Sequence, residues 1–408
     1  MSKIRIKNFG PIKEGFDTED GFMDIKKVTV FIGDQGTGKS TVAKLISTFM
    51  WMEKAINRGD VVSENLFAET FFNICEYQLI QNYFLHDTEV DYRGNFCSIS
   101  YRTVDRFLNV TLNSSRYSTP QIQYISAERN FLTTIQNAYN VQSLPWHLIS
   151  FAEELKRAQR QLGNVKLDLP IKNYQYEYIE SSDESFIHGK DYKLDLFEAS
   201  SGLQSLIPMY LVSRNLALSI HKIDGFSRLS AKHVIKRNEE ADKIANDTTL
   251  SKQEIQERIW KIYTKFQNTC FINIVEEPEQ NLFPTSQRHL LNSLVEFANM
   301  NEGNKLIMTT HSPYIINYLT LATKANEVLG KINSKHKDDL KDEFNKIVPE
   351  SSVIAADDLI IYELKDNGTI KKLETYNGLP SDENYLNQQL AETNYLFTDL
   401  LEIEDQCQ

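Results

Sequence analysis

The segment Phe31–Leu45, FIGDQGTGKSTVAKL, constrains this chain more than any other stretch. An apolar run leads into a glycine-rich turn, and the turn leads into the opening of a helix. The turn, Gly33-Asp34-Gln35-Gly36-Thr37-Gly38-Lys39-Ser40, fits the pattern G-x-x-x-x-G-K-[ST]. Its glycines let the backbone curl until successive N–H groups point at phosphate oxygens. The helix starting near Lys39 adds the positive end of its dipole. On this reading the residues from Gly33 to Thr41 form a nucleotide-binding loop, with Lys39 reaching the β- and γ-phosphates of ATP and Ser40 ligating Mg2+.

A chain of 408 residues has room for two to three ordinary domains, or for one large domain carrying an insertion. Its composition, 41% hydrophobic and 25% charged, is that of a globular protein. A formal charge of -12 excludes a surface that is basic as a whole, while leaving room for a local basic groove. Cys75, Cys97, Cys270 and Cys407 stand apart without a CxxC pair, so neither a zinc site nor a disulfide framework is expected, and isolated thiols suit a reducing cytosol. The opening MSKIRIKNFG lacks the apolar core of a signal peptide, and no apolar run approaches membrane-spanning length. A cytoplasmic location away from the membrane is expected.

Along the chain, KIRIKNF alternates like a half-buried strand, and KKVTVFIG is a second strand ending at Gly33. Val42, Leu45, Ile46 and Phe49 then form one stripe at helical spacing. Residues 62–85 read as helical. FCSISYR, RFLNVTLN and QIQYIS read as an antiparallel meander between residues 95 and 126. Residues 148–162 read as a helix, YQYEYIE and SFIHGKDYKLDLF as a hairpin-like pair, and residues 203–216 as an apolar helix. Residues 221–267 are charged and helical by propensity. TCFINIVEEPE and NKLIMTTHS are buried strands flanking an amphipathic helix, whose cap is expected near Thr285 or Ser286 after Pro284. Two more strands fall within residues 351–376, and an acidic helix follows Asp382. Strands alternating with helices around a phosphate loop indicate an α/β fold with a largely parallel core sheet.

Three further segments carry chemistry. Glu276 and Glu277 stand where the strand FINIV ends, and turning of the backbone there lets both reach one site, one carboxylate serving Mg2+ and the other the attacking water. An ordinary acidic loop is the plain alternative. His311 closes a third apolar strand, where it could meet a γ-phosphate or be a satisfied core histidine. Ser200, Ser201 and Gly202 open a helix, as an anion-binding end or as an ordinary cap.

The order of these segments resembles the ABC-type ATPase heads of the SMC, RecF and OLD group, in the branch of AAA-family ATP-binding proteins. The resemblance runs in scattered motifs from Lys3 to about Tyr376. It implies a P-loop NTPase of ABC-ATPase head type, with a mixed core sheet, an antiparallel β subdomain and a helical signature lobe. Residues 1–125 and 266–408 would form the nucleotide-binding lobe, and residues 126–265 the signature-bearing lobe. SSGLQS looks like the ABC signature, IVEEPEQNLFP like the Walker B segment and TTHSPYI like the switch-histidine strand. By the same resemblance Lys39, Glu277 and His311 are catalytic, as phosphate clamp, general base and γ-phosphate sensor. Ser40 and Glu276 hold Mg2+. Ser200, Ser201, Gly202 and Gln204 of one copy complete the ATP site of another, giving a head-to-tail homodimer that sandwiches two ATP molecules, with larger assemblies left open. Arg129, at the end of YISAERN, is a candidate for a nucleotide or interface contact, or for a surface salt bridge.

Departures from the family pattern are visible. Asp34 puts a negative charge in the loop, Gln35 stands where the family often has Asn, Glu276 replaces a more usual Asp, and the signature lacks a double glycine. Gln81, Gln121, Gln123 and Gln142 all compete for the Q-loop position. No heptad arm and no TOPRIM nuclease domain are expected, so the chain looks like the stand-alone ATPases of bacterial anti-phage modules such as PARIS and Septu, which work beside a separate effector. The leading reading is a dimeric ATPase controlling a partner effector or nucleic acid. A nucleotide-locked scaffold with little turnover is the alternative. A nuclease gate rests on RLSAKH, where Arg228 and His233 match a loose R-x4-H spacing, and a transporter motor is disfavoured by EEPE. Lys222, Lys232, Lys236, Arg237 and Lys243 are either a solvated helix face or a nucleic-acid contact. Removing the charge at Asp34 should favour the anionic ligand: Asp34→Asn is expected to tighten ATP binding roughly fivefold, the scale of one unit charge a few ångströms away in a solvated loop, as read by titration with a fluorescent ATP analogue.

Overall fold

The computed structural model describes residues 2–61, 66–105, 107–113, 117–135, 144–220 and 230–407. Four apolar segments make its centre: Val28–Gly33 (β4), Cys270–Glu276 (β13), Lys305–Thr309 (β14) and Leu359–Leu364 (β15). They pair in parallel, and almost every residue in them is buried, as a sheet covered on both faces requires. Gly15–Phe16 (β2), Thr369–Lys372 (β16) and Pro120–Ile125 (β8) complete a sheet of order β2-β16-β15-β4-β14-β13-β8. The β15–β16 pair is antiparallel, so the sheet is mixed.

Alternation along these strands sorts side chains into two cores. Val28, Val30, Ile32, Leu306, Met308, Phe271 and Val275 face one side; Phe31, Ile307, Ile272 and Ile274 face the other. The first side is covered by helices Trp146–Leu162 (α4), Ser201–Ser219 (α5), Pro284–Asn299 (α8) and Pro313–Ser334 (α9). The second is covered by Lys39–Asn57 (α1). A second sheet packs beyond α1, antiparallel throughout, of Met23–Ile25 (β3), Ser2–Phe9 (β1), Phe84–Arg93 (β5), Cys97–Arg102 (β6) and Asn109–Leu112 (β7), in the order β3-β1-β5-β6-β7. Glu53 of α1 accepts hydrogen bonds from the Tyr92 hydroxyl (2.8 Å) and the Phe96 N–H (2.6 Å), and Phe49 stacks on Tyr92. Held between two sheets, α1 is buried nearly all round.

The smaller elements sit around this frame. Ala68–Tyr77 (α2) flanks the antiparallel sheet, and Phe131–Thr134 (α3) follows β8. A third sheet joins Leu167–Asp168 (β9), Gln175–Ile179 (β10), Glu184–His188 (β11) and Lys193–Asp195 (β12) beside α4. Ala231–Ala245 (α6) and Lys252–Phe266 (α7) form a helical pair, with a Ser251–Glu254 capping box opening the second. The pair is fastened to the end of α1 by Asp60, which meets His233 at 3.1 Å and Lys236 at 2.9 Å. Lys341–Ile347 (α10) precedes the last strands, and Tyr385–Gln406 (α11) leaves the body with Tyr395, Phe397 and Leu400 exposed.

Several expectations change. QIQYIS does not join the antiparallel meander: as β8 it is the edge strand of the core sheet, parallel to β13 with Val275 opposite Ile125. Period-two alternation reports a strand with two unlike faces and not its partner. KIRIKNF is a half-buried strand, in the antiparallel sheet. Of the helix expected over 62–85, residues 62–65 lie outside the described residues; among those described it appears as Ala68–Tyr77, and the chain turns into β5 at Phe84. The cap of α8 is Phe283, with Pro284 as its first helical residue, because proline lacks the N–H that the first turn leaves unused. The hairpin-like pair becomes β10 to β12 of a four-stranded sheet, so the stretch 126–265 is less purely helical than expected. Ile274 lies fully buried in the central strand β13. Ile274→Ala is expected to lower the unfolding free energy by about 2–5 kcal/mol, read by urea denaturation.

Candidate nucleotide-binding site

Parallel pairing brings three strand ends level. Thr309 of β14 lies opposite both Phe31 of β4 and Glu276 of β13, so the loops that leave β4, β13 and β14 open at one edge. The loop after β4 begins at Gly33, whose φ of 140° and close approach to the Leu364 carbonyl, 2.3 Å from where a Cβ would sit, leave no room for a side chain. It ends at Gly38, the N-cap of α1, which has no side chain to hold the first helical N–H groups. Those groups, with the exposed Ser40 hydroxyl in the same turn, are left for a ligand.

Lys39 is buried, with its ammonium folded back onto the loop, donating to the carbonyls of Gly33 (3.0 Å) and Asp34 (2.6 Å). Burial pulls its pKa down to about 8 against the attraction of Glu277, Asp34, Glu279 and Glu276. The Thr37 hydroxyl donates to the Asp34 carbonyl at 2.8 Å. Asp34 itself is exposed and fastened on both sides. The Gln35 N–H donates to it at 2.6 Å, and the hydroxyl of Tyr385, at the start of α11, holds its carboxyl below the usual range. That gives the odd charge in the loop a structural partner, which the sequence did not indicate.

Glu276 is buried at the end of β13, accepting from the Tyr124 hydroxyl (2.5 Å) and the Ala127 N–H (3.3 Å). Glu277 follows with φ of 42°, in the left-handed region that a non-glycine residue rarely occupies. Its N–H donates to the Thr309 carbonyl, and its carboxylate lies 3.6 Å from His311 Nε2. Burial and the Lys39 charge hold the His311 pKa down, which favours a neutral imidazole.

Glu279 was not picked out from the sequence, although it is the third acid of EEPE. One carboxylate oxygen accepts from the Thr310 hydroxyl (2.8 Å) and the His311 N–H (2.7 Å), while the other is buried and finds no hydrogen-bond partner among the described residues. Burial raises its pKa. An acid two residues after Glu277, across a rigid proline, was the available signal. It ties the β13 loop to the β14 loop directly beneath His311.

The signature candidates lie elsewhere. Ser200 is the N-cap of α5 without a side-chain capping bond, and Ser201 opens the helix; both are exposed. Among the described residues no hydrogen bond or ion pair joins either serine to Lys39, Glu276, Glu277 or His311. Gly202 is buried against the Asn281 carbonyl, which a Cβ would approach to 2.6 Å. Gln204 turns inward, its amide donating to the Phe197 carbonyl at 2.8 Å, so its side chain is not presented to another copy.

Arg129 is not at the surface, and among the described residues it makes no salt bridge. It is fully buried, and its guanidinium donates to four main-chain carbonyls: Ser205 (3.1 Å), Ser126 (3.2 Å), Glu276 (2.7 Å) and Glu277 (2.7 Å). Burial pulls its pKa down to about 10, still cationic at neutral pH. Gln121 and Gln123 make bonds within the chain from β8, and Gln81 sits in a short turn before β5. Gln142, Lys222 and Arg228 lie outside the described residues, while His233 is held by Asp60 and Ser230 and Arg237 stacks on Tyr263.

The donors at this edge suit a triphosphate and a hard cation: unclaimed helix N–H groups, an ammonium, the Ser40 hydroxyl and the Glu276 carboxylate. Among the described residues no group of three or more histidines, cysteines, aspartates or glutamates could hold a metal ion.

Fold and edge together describe an α/β protein with a P-loop at the open edge of its parallel strands. The chain belongs to the AAA ATPase domain family, whose model matches residues 1–271 and 264–316. Among solved structures it is similar to an Smc head domain with an extended coiled coil bound to the C-terminal domain of ScpA derived from Pyrococcus furiosus, at 10% identity over 98% of this chain and 100% of that one, with a TM-score of 0.38. It is similar to the SMC head domain from Thermotoga maritima, at 11% identity over 78% and 90% of the two chains, TM-score 0.30. A dimeric ATP-binding cassette in a post-hydrolysis state bound to ADP and Pi shares 10% identity over 92% of this chain and 100% of that chain, TM-score 0.30. No match is found among curated proteins. Among the described residues no helix is long and apolar enough to cross a membrane.

Glu279→Ala leaves the Thr310 hydroxyl and the His311 N–H without an acceptor. A loss of about 1–3 kcal/mol in unfolding free energy is expected, chiefly from the stranded hydroxyl of the buried Thr310, measured by urea denaturation.

Proposed function

We propose that this chain hydrolyses ATP, and that two copies close head to tail over two ATP molecules, with the nucleotide state setting whether the heads are open or shut. The 3.6 Å approach of His311 to Glu277, at the edge where the Lys39 loop opens, carries this reading. It is the juxtaposition of acceptor and donor that activating a water beside a γ-phosphate needs.

In this reading the first-turn N–H groups of α1 and Lys39 cradle the β- and γ-phosphates. Ser40 and Glu276 would hold Mg2+, which supplies charge neutralisation on those oxygens. Glu277 takes a proton from water as the water oxygen bonds to the γ-phosphorus. The bond from that phosphorus to the β–γ bridging oxygen breaks, leaving ADP and inorganic phosphate. His311, kept neutral by its surroundings, donates a hydrogen bond to the γ-phosphate and registers its presence. Ser201 and Gly202 of the second copy approach the same phosphate from α5. The exposed Ser201 at an uncapped helix start supports that role, with Gly202 buried just behind it, while Gln204 contributes to the packing of α5. Opening and closing of the heads then controls a partner, either a separate nuclease or toxin chain or a nucleic acid, in an anti-phage or DNA-maintenance setting inside the cell.

Steady-state phosphate release from the wild type and Glu277→Gln tests the reading. The wild type should turn over in the presence of Mg2+. Glu277→Gln should bind ATP normally, lose on the order of 10²–10⁴ in kcat, and elute as an ATP-dependent dimer. Absence of turnover in the wild type would instead leave a nucleotide-locked scaffold. A monomer that turns over at full rate would remove the two-copy site.

A further inference from the structure

Four contacts join the start of α5 to the loop that carries Glu277, all within one chain. The Arg129 guanidinium bridges the Ser205 carbonyl on α5 to the carbonyls of Glu276 and Glu277. The Ser205 hydroxyl donates to the Gln280 side chain at 3.1 Å. Gly202 packs on the Asn281 carbonyl so closely that a Cβ would be 2.6 Å from it. Leu282 lies against the same glycine. Ser205 stands one helical turn after Ser201, so this fastening sits directly behind the exposed serine end of the helix.

The other end of the bridge is a strained residue. Glu277 holds φ at 42°, and a non-glycine residue stays there only where its surroundings over-determine it. Its N–H is held by the Thr309 carbonyl and its own carbonyl by Arg129. A planar fork with fixed donors can satisfy carbonyls on two elements at once, which a lysine ammonium on a flexible stem does less well. Full burial with carbonyl partners only also means that the guanidinium is not reached by nucleotide or by a second chain.

We propose that Arg129 is a positioning residue that ties the placement of helix α5 to the main-chain setting of Glu277. This rests on the two-copy reading above and deepens it. Ser201 meets ATP held by the other copy, whereas Glu277 acts on ATP held by its own. Seating α5 on the far nucleotide therefore sets the base at the near one, and the two ATP sites fire together. The link lies inside each chain and runs through hydrogen bonds to main-chain atoms, so it is independent of the identity of the side chains presented to nucleotide.

Arg129→Lys and, as a milder cut of the same fastening, Gln280→Ala are compared with the wild type. Three readouts are taken: ATP affinity, the ATP dependence of turnover, and amide hydrogen exchange over 201–205 and 277–282 with and without ATP. The wild type should show sigmoidal turnover and ATP-induced protection of both segments. Arg129→Lys should keep ATP affinity within twofold, lose at least tenfold in kcat, turn over hyperbolically, and keep protection in 201–205 while losing it in 277–282. Gln280→Ala should show the same split to a smaller degree, and it carries the test if Arg129→Lys does not fold. Folded variants that keep sigmoidal turnover and joint protection overturn the proposal. So does a loss of ATP affinity matching that of Lys39→Ala, which would make Arg129 a nucleotide contact. A wild type without turnover counts against hydrolysis alone, because joint protection that splits in the variants still supports the tie. Protection confined to 277–282 in the wild type overturns both the tie and the two-copy reading.

Discussion

Parallel register is the constraint on which this molecule rests. β4, β13 and β14 pair so that Phe31, Thr309 and Glu276 lie level, and the P-loop, Glu277 and His311 all follow directly from those strand ends. Had the β13–β14 pairing slipped by one residue, every side chain of the moved strand would change face, placing Glu276 and the core residue Val275 on each other's sides. The cost of burying Ile272, Ile274 and Val275 wrongly fixes the register, so hydrophobic packing well below the site sets the positions of charged groups at its edge. The hydrogen bonds beyond the strands refine this placement. Glu279 joins the β13 and β14 loops, and Thr310 N–H donates to the Phe31 carbonyl.

The phosphate loop was legible in the sequence because it is local. Eight consecutive residues define it, and the strand before and helix after are declared by their own periodicity. Glu276, Glu277 and His311 were also legible, since each ends an apolar run that reads as a buried strand. The Ser200–Gly202 helix start follows from its residues alone. Long-range pairing was not. β8 alternates as an antiparallel strand would, and its assignment to the core sheet depends on Cys270–Val275, some 150 positions away, which no pattern within QIQYIS records. The place of α11 beside the nucleotide loop was hidden for the same reason.

Arg129 and Glu279 show a second kind of illegibility. Charged residues are usually read as surface groups, because burying a charge is costly unless it is fully hydrogen-bonded. Arg129 escapes that expectation by meeting four carbonyls, and Glu279 by accepting from Thr310 and His311 with its pKa raised. Most of these partners lie on segments distant in sequence, and all but the Thr310 hydroxyl are main-chain groups. Side-chain identity gives no hint of them, and only the folded backbone makes a buried arginine and a buried glutamate affordable. Asp34 is the milder case: its neighbour Gln35 was visible, its partner Tyr385 was not.

Helix α1 has a consequence that extends past the nucleotide. Its first turn belongs to the phosphate loop, Val42, Ile46 and Phe49 are buried in the core that it shares with both sheets, and Glu53 and Phe49 lock it to the antiparallel sheet through Tyr92. Protein interiors packed to this degree are barely compressible. A shift at the amino end of α1 would therefore not be absorbed along its length: the helix is a stiff axle between the loop at its start and the antiparallel sheet that Glu53 and Phe49 fasten to it.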